Sequence, residues 1–189
     1  MNVMFPITLL CASGLMMILE SRGLKTTLTL SFKGDVKRET RWLAQYGQLV
    51  CTLVVGVLMA QLDPAPDRLK RGGFVILVVI GTSLLAFVIK RLLSRVRPGR
   101  ENAGKFLGPS WKHANYKESF PSSHSACAAA LSVLLSIYYP HGLITFWTLA
   151  VLCGGLRYLM DAHWPSDVLG GLALGYACAV AAAHAVRLV

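Results

Sequence analysis

The chain has 189 residues, of which 54% are hydrophobic and only 15% charged, and its net charge is +10. About 25% charged is usual in soluble domains, so the composition excludes an ordinary water-soluble globule and points to a single membrane-embedded unit over residues 1–189. A charge surplus of this kind suggests nucleic acid only on a soluble surface. Here the basic residues fall between long apolar runs, so the expected partners are the bilayer and phosphate, with no nucleic acid.

A helix that crosses the hydrocarbon core needs about 20 predominantly apolar residues. The first candidate runs from Met1 to Leu19, uncharged before Glu20. It has neither the positive n-region nor the small-residue cleavage site of a signal peptide, and reads as a span. Glu20 to Arg41 is a long connection. In it Gly34-Asp35 precedes Val36 to Trp42, which predicts a capped helix start lying at the interface. The second span is Trp42 to Leu62 and the third Gly72 to Ile89, where a β-branched run would suit a strand. In lipid a lone strand leaves its backbone unpaired, so helix is expected. Lys90 to Pro121, with Gly99, Gly104, Gly108 and Pro109, reads as an irregular loop over the membrane face. Ser122 to Leu156 is uncharged and is divided at Pro140-His141-Gly142 into a fourth and a fifth span. The sixth is Val168 to Val186, where Gly170, Gly171, Ala173, Gly175 and Ala177 suit close packing in lipid. Cys11, Cys51, Cys127, Cys153 and Cys178 lie inside apolar stretches without metal or redox spacing. The fold class is therefore all-α, a membrane bundle of six transmembrane helices with an interfacial helix between the first two.

Six crossings bring the stretches 20–41, 90–121 and 157–167 to one side of the membrane. On that side Lys90 and Arg97-Pro98 leave the third span, and Pro121-Ser122-Ser123-His124 enters the fourth. Arg157, His163 and Asp167 lie between the fifth and the sixth. A guanidinium holds phosphate oxygens through two parallel hydrogen bonds. Ser122 and Ser123 bring hydroxyls and N–H groups to a helix N-terminus, a natural anion site, although serine also caps helices without further function. His124 titrates near neutral pH and can protonate a leaving oxygen. His163 and Asp167 lie four apart, with Pro165 marking a helix start between them. A carboxylate there can fix one imidazole nitrogen and free the other to attack; helix capping is the plainer role for Asp167.

Three blocks in this order resemble the type 2 phosphatidic acid phosphatase superfamily of membrane lipid phosphatases. The first is Lys90, six residues, Arg97-Pro98. The second is Pro121-Ser122-Ser123-His124, and the third is Arg157, five residues, His163, three residues, Asp167. Ser123 stands where the family usually has glycine, and Leu156 where serine usually precedes the arginine. The resemblance implies that His163 attacks phosphorus, Asp167 orients it and His124 protonates the departing oxygen. Lys90, Arg97, Arg157, Ser122 and Ser123 would bind the phosphoryl oxygens, with no metal and no cofactor. The implied substrate is a phosphorylated membrane lipid: phosphatidic acid, phosphatidylglycerol phosphate, a polyprenyl pyrophosphate or a lipid A phosphate. A phosphotransferase with a polyprenyl pyrophosphate donor, and a non-catalytic lipid-binding or transport protein, remain open, as does the oligomeric state. The resemblance also implies a bacterial cytoplasmic membrane with the site on its outer face. Charge argues the other way, because all Lys and Arg residues except Arg68, Lys70, Arg71 and Arg187 fall on the site side, which the positive-inside rule makes cytoplasmic.

Overall fold

The computed structural model describes residues 4–24, 26 and 38–188. These form helices α1 (Met4–Ser21), α2 (Arg41–Gln45), α3 (Leu49–Leu62), α4 (Arg68–Leu93), α5 (Ser123–Tyr138), α6 (Leu143–Leu159) and α7 (Pro165–Ala185). Short 3₁₀ turns occupy Asn115–Lys117 and Pro140–Gly142. Among the described residues the only β pairing is an isolated bridge between Arg95 and Phe106. Helices α1, α4, α7 and α6 with its preceding turn are long and apolar enough to cross a membrane, whereas α3 and α5 are shorter apolar helices of 14 and 16 residues.

Two of the spans differ from those read in the sequence. The segment Trp42 to Leu62 is not one helix: it breaks after Gln45, and Gln48 is extended at φ −100° and ψ 150° before α3 begins. Packing decides this, because Gly47 lies so close to α5 that an added Cβ would sit 2.3 Å from the His124 carbonyl oxygen. Helix α4 extends past both ends of Gly72 to Ile89, so that Lys90 and Arg91 occupy its last turn. It stops at Ser94, whose φ of 45° is left-handed. The helix start at Gly34-Asp35 lies outside the described residues; Arg38 and Glu39 are helical, and α2 follows from Arg41. The break at Pro140–Gly142 and the start of α7 at Pro165 fall where the sequence puts them; proline favours the first turn because its missing N–H has no helical partner there.

Helix α5 is the centre of the bundle, buried without interruption from Ser125 to Leu135. Its backbone meets α7 directly. A Cβ on Gly175 would lie 2.0 Å from the Ala126 oxygen, and one on Gly171 2.5 Å from that of Ser122. Small residues let helices approach this closely in lipid, where dispersion and interhelical hydrogen bonds replace the hydrophobic effect as the drive to associate. The consequence is positional, because the N-terminus of α5, with His124, is pressed against the start of α7, with Asp167. Large apolar side chains face outward instead, among them Leu77, Leu84 and Ile144, as a lipid-facing surface requires. At the far end of the bundle the Tyr139 hydroxyl donates to Asp63 at 2.5 Å, and Arg71 approaches the same carboxylate at 3.7 Å. These contacts join α3, α4 and α5 away from the polar cluster described next.

Candidate active site

The loop from Ser94 to Ser122 is held by backbone hydrogen bonds to itself. Val96 N–H donates to Lys105 O at 2.9 Å, Gly104 N–H to Val96 O at 3.0 Å, and Arg97 N–H to Tyr116 O at 2.8 Å. Paired in this way, the backbone presents its side chains at fixed positions. Arg97 and the end of α4 then meet Ser123 and His124 at the start of α5, Arg157 in the last turn of α6, and His163 just before α7. Together with Ser83, Phe87, Lys90 and Glu118 they line one pocket of about 260 Å³. Six of the eight residues read as site residues from the sequence (Lys90, Arg97, Ser123, His124, Arg157 and His163) thus share a single cavity.

The other two stand behind it. Ser122 is fully buried and caps α5, its hydroxyl accepting from the Ser125 hydroxyl at 2.9 Å and from the Ser125 N–H at 3.4 Å. It does not line the pocket; the plain capping role describes its side chain. Its N–H donates to the Asp167 carbonyl at 2.9 Å, which ties α5 to α7. Asp167 is also fully buried and caps its own helix by accepting the Trp164 N–H at 2.8 Å. Its Oδ2 lies 3.6 Å from Nδ1 of His163, beyond hydrogen-bond length. Nδ1 has no other partner among the described residues. Asp167 thus faces Nδ1 and leaves Nε2 as the ring nitrogen available to a substrate.

The closer partners of Asp167 were not read from the sequence. Arg95, 2% exposed, donates to Oδ1 at 2.6 Å, and the Ser119 hydroxyl donates to Oδ2. The other arm of Arg95 reaches Glu20 at the end of α1, at 2.7 Å, and its Nη1 also donates to the Ser166 hydroxyl at 2.6 Å. Ser166 closes the circuit by donating to Glu20 at 2.5 Å. Two carboxylates and one guanidinium are thus fully paired inside the protein, an arrangement in which the desolvation cost is offset only because nearly every donor is used.

The pocket side is different. Lys90 Nζ donates to the Glu118 carbonyl at 2.8 Å, and Arg97 Nη2 reaches the same oxygen at 3.5 Å. The Glu118 carboxylate points elsewhere, to Arg91 at 3.1 Å, the Ala114 N–H at 3.1 Å and His113 at 2.7 Å. Burial would raise its pKa, but these partners outweigh it and hold the group below the ordinary glutamate value. Arg97 and Arg157 each leave Nε without a partner among the described residues. Burial and the neighbouring Arg157 push the Arg97 guanidinium below its usual pKa. His163 is lowered to about 4, first by burial and then by Lys90 and Arg97, with Asp167 opposing. The neutral imidazole is therefore favoured at physiological pH. Among the described residues, no three His, Cys, Asp or Glu side chains are grouped to hold a metal ion. The chemistry this pocket offers is three cations and two imidazoles facing an anion-sized space.

Both departures in the motif blocks have a structural setting. Ser123 is the first residue of α5, in helical conformation, which serine adopts as freely as the negative-φ backbone requires. Leu156, 7% exposed, forms a wall of a second cavity of about 520 Å³ that His124 and Arg157 also line.

A family model described as PAP2 superfamily matches residues 71–188. Among similar proteins, the lipid A 1-phosphatase of Rhizobium etli is 36% identical over 106 residues, which cover 55% of this chain and 45% of that protein. Phosphatidylglycerophosphatase B of Bacillus subtilis is 32% identical over 115 residues, covering 54% of this chain and 52% of that one. The chain spans about half the length of these curated relatives. The crystal structure of a transmembrane PAP2 type phosphatidylglycerolphosphate phosphatase from Bacillus subtilis covers 96% of each chain with a TM-score of 0.67 at 21% identity. That likeness shows the fold.

Proposed function

The chain belongs to the PAP2 superfamily, and from that premise we propose that it is an integral membrane phosphatase acting on a phosphomonoester or pyrophosphate of a membrane lipid. One observation carries this reading: Lys90, Arg97 and Arg157 face one pocket with His124 and His163, while the nearby carboxylates of Asp167 and Glu118 are engaged by other groups. Lys90 is buried and Arg97 and Arg157 half-buried, and cations so placed without an ion pair favour an anion, since the medium screens them less than water does.

In the proposed reaction the lipid phosphate sits among Lys90, Arg97, Arg157 and the N–H groups at the start of α5, with Ser123 beside it. These groups stabilise the charge that builds on the phosphoryl oxygens. Nε2 of His163 attacks phosphorus, and the bond to the lipid oxygen breaks. The electron pair leaves with that oxygen, which takes a proton from His124. Water then attacks the phosphohistidine, His124 recovers a proton from it, and inorganic phosphate departs. Asp167 faces Nδ1 of His163 at 3.6 Å and stabilises the ring's positive charge as it forms. This scheme needs no metal. Phosphate release in detergent with EDTA tests it, using phosphatidic acid, phosphatidylglycerol phosphate, undecaprenyl pyrophosphate and lipid A. Release without added metal is expected, and dependence on metal would overturn the scheme. Release without an acceptor lipid separates hydrolysis from phosphotransfer.

The relatives named lipid A 1-phosphatase and phosphatidylglycerophosphatase B support a lipid with a phosphorylated polar headgroup. For topology we propose six crossings in a single unit, with α3 and α5 joining the four longer helices. Helix α5 is surrounded by other helices, so its length need not match the lipid. The site is assigned to the outer face of a bacterial cytoplasmic membrane, where surplus basic charge suits a polyanionic headgroup. A cysteine placed at Lys105 is expected to label in intact cells. Labelling only after lysis would reverse the assignment.

A further inference from the structure

We infer that the cavity of about 520 Å³ beside the phosphoryl pocket receives the leaving group, and that it is built for a hydroxyl-bearing, sugar-like headgroup rather than for bare diacylglycerol. The inference rests on the phosphatase reading and deepens it. His124 and Arg157 line both spaces. If His124 gives its proton to the departing oxygen, the group attached to that oxygen leaves beside His124, and the second cavity shares that side chain with the phosphoryl pocket.

Its walls differ chemically from those of the first. Leu156 and Met160 contribute apolar lining, and Arg41, Gln45 and Gln48 add a guanidinium and two carboxamides. Neither carboxamide is hydrogen-bonded by its side chain to any described residue, and Gln48 precedes α3 without capping it. A carboxamide offers both donors and an acceptor, which matches a hydroxyl, itself both donor and acceptor, whereas a sugar ring also has an apolar face for Leu156. Diacylglycerol presents only ester acceptors and would leave the carboxamide oxygens unanswered. The turn that carries the glutamines is not free to drift, because Gly47 between them packs on the His124 carbonyl. The break in the expected second span thus places two amides beside the acid that meets the leaving group.

The test compares kcat/KM for lipid A and for phosphatidic acid in detergent, in the intact chain and in Gln45→Leu/Gln48→Leu. The ratio of the two is expected to fall about tenfold, the effect of losing one or two neutral hydrogen bonds. Inhibition by inorganic phosphate, which needs only the first pocket, reports that the variant is folded and its phosphoryl site intact. The single variant Gln45→Ala, at an exposed position, should move the ratio in the same direction by a smaller factor. An unchanged ratio with phosphate inhibition preserved would overturn the headgroup assignment. Failure of the intact chain to release phosphate from either lipid would overturn the phosphatase reading instead.

Discussion

On one side of His163, Asp167 is held by Arg95, Ser119 and the Trp164 N–H, and Arg95 is held in turn by Glu20. On the other side Lys90, Arg97 and Arg157 face a pocket into which no paired carboxylate points. The first region is buried and the second partly so; both are built from charge, yet the first is saturated and the second is not. A saturated network resists change and fixes geometry, while an unsaturated one keeps free energy available for a ligand. The difference teaches that charge near His163 is arranged in two ways: paired behind the ring, and left without carboxylate partners in the pocket in front of it.

Substitutions on the two sides should therefore separate stability from turnover. The largest effect is expected at the atom that both sides serve. His163→Ala should lower phosphate release by roughly 10⁴-fold or more, as loss of a nucleophile does, with the melting temperature in detergent little changed. Retained activity would sink the phosphohistidine scheme and favour a headgroup-binding protein. Arg95→Leu comes next and acts through the fold. It leaves Asp167 and Glu20 as buried carboxylates without their cation, at a cost of about 3–5 kcal/mol, so a fall in melting temperature and in folded yield should accompany the loss of activity. On the pocket side, Arg157→Met should cost about 10²–10³ in kcat, the scale of a lost charge-stabilising donor, while the melting temperature stays the same or rises, since one of three like charges is gone. If Arg157→Met destabilised the protein as much as Arg95→Leu, the contrast between the regions would fail.

Acidity sharpens the same comparison by a smaller effect. His163 is lowered to about 4, mainly by burial, so its neutral form persists well below the ordinary histidine range. The acid limb of kcat/KM, corrected for ionisation of the substrate, should fall near pH 4 and not near 6.5. The sign also runs into stability: a depressed pKa means that the unfolded chain binds the proton first, so this group's contribution is present above about pH 6.5 and is lost as pH falls toward 4. The smallest effect is expected from Ser123→Gly, which restores the residue usual in the family blocks. Position 123 is already helical, so the change should cost about 0.5–1 kcal/mol of stability and shift turnover by only a few-fold.

How far the site could be read in the sequence follows from the same contrast. Lys90, Arg97, His124, Arg157 and His163 are polar residues at the ends of apolar runs, and their spacing is local, so the sequence exposes them. Arg95 lies within the first block, two residues before Arg97, but nothing nearby in sequence pairs with it. Its partners are 72 and 75 positions away. In the sequence Glu20 marks only the end of the first span, although an acidic group at a span end is itself a hint of a buried partner. Ser122 shows the reverse case, a motif residue whose hydroxyl the fold spends on a cap.

Hydropathy alone determined that the chain is helical, where most of its spans lie and where Pro140 and Pro165 interrupt them, because lipid forbids unpaired backbone and the criterion is length. The motif spacing picked out six of the side chains that share one pocket. Tertiary structure decided the rest. It broke the second span at Gly47 so that the turn could rest on His124, carried α4 on to Leu93, and set Arg95 between two carboxylates from opposite ends of the chain. Those outcomes depend on close approach between helices distant in sequence, an energy that no local pattern contains.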